Sequence, residues 1–230
     1  MVTLYNAGVE YSSEVISAEG SHCAWMALDP ETLLEIVALN GDGAPCRNRP
    51  FPVDQVAIEA TVVMRQRNLF RFARRFGDAD PLKVEEESIA IVERVAARIL
   101  KPSGRPLRVC EGVIERARST LAAHFAEPLS LAEVARQSGV SSAYLSRTFR
   151  SVTGQTMHAF REELRLRRAL DLLPDFRGDF SRVALDLGYS SHSHFSNRFR
   201  RYFGLTPAEF VVRVPSRMDA DALKSLSRGL

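Results

Sequence analysis

"GVSSAYLSRTFRSVTG" at residues 139–154 returns some fifty residues later as "GYSSHSHFSNRFRRYFG" at 188–204, and this repeat decides how the chain is read. In each copy a short segment with helical apolar spacing, 131–138 or 180–187, runs into a glycine, Gly139 or Gly188, where positive φ lets the chain turn sharply. Serines able to cap a helix follow, and then the helix itself. The pattern predicts helix, tight turn, helix, twice over. Val134 and Ala135 match Val183 and Ala184 at an offset of 49, whereas Leu145, Phe149 and Gly154 match Phe195, Phe199 and Gly204 at 50. The second turn therefore carries one extra residue.

The second helix of each unit is predicted at about 142–152 and 191–203. Phe195, Phe199 and Phe203 keep helical spacing and point to a core. The opposite faces carry Ser142, Ala143, Ser146, Arg147 and Arg150 in the first copy, and His192, Ser193, Ser196, Asn197 and Arg200 in the second. Such faces suit a helix that enters the major groove of duplex DNA. Small side chains allow close approach, arginine pairs with guanine, asparagine pairs with adenine, and flanking arginines hold phosphates.

On either side of the repeat, "SLAE" at 130–133 and "TPAE" at 206–209 are capping boxes that open helices. Residues 156–173 read as one long amphipathic helix on Met157, Phe160, Leu164, Leu170 and Leu173. Two stretches dense in Gly and Pro, 40–52 and 101–106, look like joints, and the second is taken as the main boundary. Ahead of it, "VTLY" and "CAWMAL" read as short strands and "PETLLEIVAL" as a helix, with further helices at about 54–76 and 82–101. The last of these has Glu85, Glu86 and Glu87 in its first turns and Arg98 and Lys101 at its end, matching the macrodipole. Its stripe of Leu82, Ile89, Val92, Ala96 and Ile99 packs on its own domain or forms a self-association seam.

Charge is unevenly placed. The chain of 230 residues carries +3 in total, but residues 1–105 hold 12 basic and 15 acidic side chains while residues 106–213 hold 16 and 11. All sixteen of those basic residues are arginine, whose planar fork grips phosphate and guanine edges bidentately. Cys23, Cys46 and Cys110 are scattered and unpaired in spacing, which points to reduced thiols rather than a disulfide framework or zinc knuckle. No run of apolar residues is long enough for a membrane span, and the start lacks a secretory pattern, so a cytoplasmic location is expected.

Other chemistries fit the repeat less well. A serine hydrolase would need a G-x-S-x-G elbow in a strand-turn-helix setting, and none appears. His192 and His194, two apart on a helix, point away from each other and make a poor metal pair; His194 is expected to be packed or hydrogen-bonded. Tyr144, Tyr189 and Tyr202 are expected in core or rim packing rather than stacked on single-stranded bases. "RLRR" at 165–168 reads as the solvated side of the long helix or as a phosphate contact.

At "SLAEVARQSGVSSAYLSRTFRSVTG", "RLRRALDLL" and "VALDLGYSSHSHFSNRFRRYFGLTPAEF" the chain resembles the DNA-binding region of the AraC/XylS family of bacterial transcription regulators, from about Val109 to Val212. The resemblance implies a seven-helix unit whose two helix-turn-helix subdomains, bridged by the long helix, enter successive major grooves about 34 Å apart. It gives base-edge roles to Ser142, Ala143, Ser146 and Arg147, and to His192, Ser193, Ser196 and Asn197. Asn197 stands where the family commonly has arginine, so adenine is expected there. Met157 stands where proline is usual.

Residues 2–15 and 23–37 resemble the latter part of a cupin-like sensor, without the strands that would close a barrel of about eight. Either the sensor is shortened, or the chain is part of a longer protein. The fold expected is mostly α, with a partial cupin-like α+β sensor or dimerisation region at 1–105, a double helix-turn-helix domain at 106–213, and a tail at 214–230. The function expected is sequence-specific regulation of transcription, without catalysis or cofactor. Partners expected are duplex DNA and, beyond it, a small-molecule effector, RNA polymerase and a second copy of the chain, with no membrane. The alternative is a protein-interaction or ligand-sensing module of weak DNA affinity.

Overall fold

The computed structural model describes residues 2–6, 25–41, 46–47, 49–75, 79–100, 111–174, 176 and 179–213. The second proposed joint, 101–106, lies outside these residues, as do residues 42–45 and 48 of the first, Cys23, Cys110 and the tail from 214.

Local chemistry accounts for the helix starts. In α1 (Pro30–Asn40) the Asp29 carboxylate accepts from the Thr32 amide at 2.8 Å, and Pro30 occupies the first turn, where a missing N–H costs nothing. After α2 (Ala60–Arg75), Asp80 and Pro81 open α3 (Pro81–Ile99) in the same way, with the Lys83 amide 3.3 Å from Asp80. α4 (Glu111–Ala123) leads to α5 (Leu131–Ser138), whose capping box forms as expected: the Glu133 amide donates to Ser130 Oγ at 3.2 Å and the Ser130 amide donates back to Glu133 at 2.9 Å. Ser141, Thr156, Asp179 and Ser191 cap α6 (Ser142–Thr153), α7 (Met157–Leu172), α8 (Phe180–Asp186) and α9 (His192–Phe203). The second box, Thr206 with Glu209, opens α10 (Pro207–Arg213). The seven helices α4 to α10 match the count implied for the carboxyl-terminal unit.

Gly139 and Gly188 adopt the left-handed conformation, at φ 73° and 76°, which turns each short helix into the next. Leu145 and Phe149 of α6 lie fully buried in a core with Leu121, Leu131, Val134 and Met157. Phe195 and Phe199 of α9 lie fully buried in a second core with Leu170, Val183, Leu187 and Phe210. α7 spans the two, giving Met157, Phe160 and Leu164 to the first and Leu166, Ala169 and Leu170 to the second.

The amino-terminal part departs from expectation. Among the described residues its only sheet is the antiparallel pair β1 (Val2–Thr3) and β2 (Gln55–Val56). The described part of the "CAWMAL" stretch, Trp25 to Leu28, is not a strand. Its side chains are claimed by separate neighbours instead: Trp25 stacks on Tyr5 at 4.9 Å, Met26 joins a cluster with Val37, Val62 and Ile91, and Leu28 joins the core of the first helix-turn-helix. The apolar stripe of α3 is likewise shared. Leu82, Ile89 and Ala96 are buried in that same first core, together with Ile36 of α1, so α1 and α3 are continuous in packing with α4 to α7.

Candidate nucleic-acid interface

The two helices that carry the repeat are set very differently. On α9, the Phe195 and Phe199 rings anchor one face, and His192, Ser193, Asn197 and Arg200 are exposed on the other, with Ser196 half-buried. His192 lies parallel to the Phe180 ring at 5.9 Å, which steadies the start of the helix. His194 turns inward, edge-on to Tyr189 at 5.4 Å and near Ser190, and burial lowers its basicity. Arg198 does not point outward with them, because its guanidinium donates at 2.6 Å to buried Glu162 on α7.

On α6, only Arg150 of the expected residues is freely exposed. Ser142, Ser146 and Arg147 are half-buried, and Ala143 is 0% exposed, so in this arrangement Ala143 offers nothing to a base edge. The cover is α1. Arg147 donates to the Leu39 carbonyl at 2.9 Å and to Asn40 Oδ1 at 3.3 Å, and the Ser141 hydroxyl donates to the Glu35 carboxylate. Burial raises the Glu35 acid above its usual range, and the Ser141 hydrogen bond opposes this. The sequence places α1 in another part of the chain and gives no sign of this contact.

Three acids at the start of α3, its cap Asp80 and Glu85 and Glu86 within it, fasten the amino-terminal helices to the repeat. Glu85 accepts from the Leu131 amide at 2.7 Å and the Ala132 amide at 3.3 Å, at the start of α5. Glu86 accepts from the Met157 and His158 amides at 2.8 and 2.9 Å, at the start of α7. Their oxygens thus satisfy the free amides at the starts of other helices. Asp80 caps α3 and also pairs with Arg161 and His158; burial opposes its ionisation, but the His158 hydrogen bond and the Arg161 cation together hold it well below the carboxylate range.

Burial pushes Glu86 up to about 7 from an ordinary 4.5, with its two amide donors pulling the other way. Relative to the unfolded chain, folding favours its protonated form. That contribution is complete below pH 4.5 and is lost as pH climbs through about 7. Glu86→Gln is therefore expected to flatten the fall in melting temperature between pH 5 and 8; an unaltered slope would assign that titration to another group.

The "RLRR" stretch is a solvated face only in part: Arg168 is exposed and Arg167 half-buried, but Arg165 turns inward. Arg161 just ahead of it and Arg165 within it are buried, Arg161 donating to the Glu127 and Leu129 carbonyls and Arg165 to the Phe125 carbonyl at 2.6 Å. Carbonyls exposed at the α4–α5 turn need donors, and these guanidiniums supply them. Arg167 and Arg168 pair along the helix with Glu163 and Asp171. A cavity of about 320 Å³ opens beside this network, lined by Phe72, Lys83, His158, Tyr189, His194 and Arg198 among others.

Residues 134–213 match the family model described as "Helix-turn-helix domain". Among curated proteins, the chain is 41% identical to the Regulatory protein SoxS of Escherichia coli K12 over 92 residues, covering 40% of this chain and 85% of that one. It is 36% identical to the HTH-type transcriptional regulator ArgR of Pseudomonas aeruginosa over 87 residues, which is 38% of this chain and 26% of that one. A solved transcriptional regulator from Chromobacterium violaceum, described as an AraC-type DNA-binding domain-containing protein, shares 33% identity at a TM-score of 0.43, covering 46% of this chain and 93% of that one.

Proposed function

Because the chain belongs to the AraC/XylS family of transcription regulators, we propose that α6 and α9 read two stretches of duplex DNA in successive major grooves. The chain is a DNA-binding regulator of transcription and not an enzyme. The observation that carries the DNA-reading role is the face of α9: three residues able to hydrogen-bond base edges or phosphates, Asn197, Ser193 and Arg200, lie exposed over a fully buried aromatic anchor, and α6 enters the reading as the other copy of the repeat. A side chain reads a base to within fractions of an ångström only if its helix cannot roll, and Phe195, Phe199, Phe203 and Phe210 prevent that roll.

Asn197 pairs with adenine in this reading, and Asn197→Arg is expected to shift the preferred base at one position to guanine. The change is worth about 1–3 kcal/mol of discrimination, read by selecting bound sequences from a random duplex pool. An unchanged motif removes Asn197 from the contacting set. Affinity itself is expected to fall by orders of magnitude between about 50 and 200 mM salt as phosphate contacts are lost. A protein-interaction module that has kept the fold would show a flat salt response.

In this account residues 106–213 form the DNA-binding domain, 1–105 a partial cupin-like region that senses an effector, joins a second copy, or both, and 214–230 a tail. A cytoplasmic site of action belongs to this reading, since that is where bacterial duplex DNA lies. No helix among the described residues is long and apolar enough to cross a membrane. The effector-sensing reading draws on the cavity beside α7. Lys83 there faces the Phe72 ring at 3.9 Å, and both burial and the Arg198 cation depress its basicity, so an anionic effector would relieve it. Such an effector would raise the melting temperature of the chain.

A further inference from the structure

We propose that α1 is an intramolecular mask over the first recognition helix, so that the amino-terminal segment regulates DNA reading by covering or leaving this face. The proposal rests on α6 being a reading helix. Its physical basis is that α1 and a base pair compete for the same groups. Arg147 has one planar fork, and it is engaged on the Leu39 carbonyl and Asn40. Ser141 is engaged on Glu35, and Ala143 is sealed in the same apolar cluster as Ile36.

Size makes the competition exclusive. A helix with its side chains is about 10–12 Å across, and the major groove is about 12 Å wide. α6 alone fills the groove. With α1 packed on its outer face it cannot enter, so every DNA complex that uses α6 requires α1 to have moved. α9 carries no such cover among the described residues, since His192, Ser193, Asn197 and Arg200 remain exposed. The masked chain is therefore half-armed, with one reading helix free and one held.

The moving part is α1 rather than α3. α3 is tied to the repeat by the carboxyl groups of Glu85 and Glu86, which accept from the amides at the starts of α5 and α7, and by the ion pair of Asp80 with Arg161. α1 is held to α6 by two donors from Arg147 and one from Ser141, and otherwise by apolar packing alone, with no ion pair on it among the described residues. Ile36 shares a cluster with Ala143 of α6 and with Leu82, Ile89 and Ala96 of α3, and Val37 shares one with Ile91 and Val95 of α3. With only a fraction of molecules open, the apparent affinity for a two-part site is reduced by that fraction. Binding of a full site must in turn open α1 by the same factor.

The test compares the full chain with its Glu35→Arg/Asn40→Ala variant, which alters α1 alone and removes the carboxylate from Ser141 and the side-chain acceptor from Arg147. Asn40→Ala by itself is the milder companion, should the pair disturb folding. Reactivity of Arg147 toward an arginine-selective dicarbonyl reagent, located by mass spectrometry, reports the mask without DNA. It is expected to rise at least fivefold in the variant. Affinity is then measured for a duplex carrying both half-sites and for one carrying only the half read by α9. The variant is expected to bind the first at least tenfold more tightly and the second unchanged, and a further Arg147→Ala is expected to cancel the gain. Equal Arg147 reactivity in both chains would overturn the mask itself. Raised reactivity with no gain on the two-part duplex would instead overturn α6 as a reading helix, and the regulation with it.

Discussion

Replacing Gly188 with alanine is expected to cost more than about 4 kcal/mol of stability, beyond the range of an ordinary point substitution. The residue sits at φ +76°, where a Cβ alone costs about 1–2 kcal/mol. The larger effect is steric. A Cβ at this position would lie 2.0 Å from the Ala126 carbonyl oxygen and 2.7 Å from its carbon, and both are backbone atoms. The α4–α5 turn, which also takes the donors of Arg161 and Arg165, would have to separate from the second helix-turn-helix. Gly139 is the internal control. Its φ is +73° with nothing within 4 Å of the added methyl, so Gly139→Ala should lose only the conformational part. Urea midpoints of the two variants measure the difference. Equal midpoints would mean that the turn can yield and that the two subdomains are not locked together at this point.

Phe199→Ala is expected to cost about 3–5 kcal/mol. The ring is fully buried and meets Phe195, Phe203 and Phe210 at centroid distances of 5.6, 4.6 and 5.7 Å, three of these contacts being tilted or edge-on as aromatic quadrupoles prefer. Because the second core is distinct from the first, the damage should be local: amide exchange is expected to accelerate through α8, α9 and α10 while α4, α5 and α6 keep their protection. Uniform acceleration would show instead that the seven helices unfold as one unit.

What was legible in the sequence is what short-range chemistry dictates. The two capping boxes, the glycines after α5 and α8, and the aromatic spacing of α9 are each decided within a few residues, and α5 to α10 lie where that spacing puts them, with boundaries moved by only a residue or so. The helix expected at about 54–76 begins only at Ala60, because Gln55 and Val56 pair with β1 instead. Glu85, Glu86 and Arg165 carried equal local logic but answered to distant partners. Carboxylates near the start of α3 suit its own dipole, yet their oxygens lie on the amides of α5 and α7. Arginines on a long helix suit solvent, yet Arg165 fills the donor deficit of a turn forty residues earlier. The same limit hid the state of α6. Ser142, Ala143, Ser146 and Arg147 share a face by helical spacing, but only the packing of α1 decides whether that face is open. "CAWMAL" failed as a strand for the reverse reason: its apolar run is real, but the described side chains are drawn to different neighbours rather than to a sheet.

Selection of bound sequences from a random duplex pool, using the full chain and its Glu35→Arg/Asn40→Ala variant in parallel, decides whether α6 and α9 both read DNA and whether α1 governs the first of them. The variant is expected to enrich a motif in two parts about one helical turn, ~34 Å, apart, and the unaltered chain a motif dominated by the part that Asn197 and its neighbours read. Loss of binding as salt rises should accompany both. Enrichment of no sequence by either chain, with weak binding that salt leaves unchanged, would contradict the account.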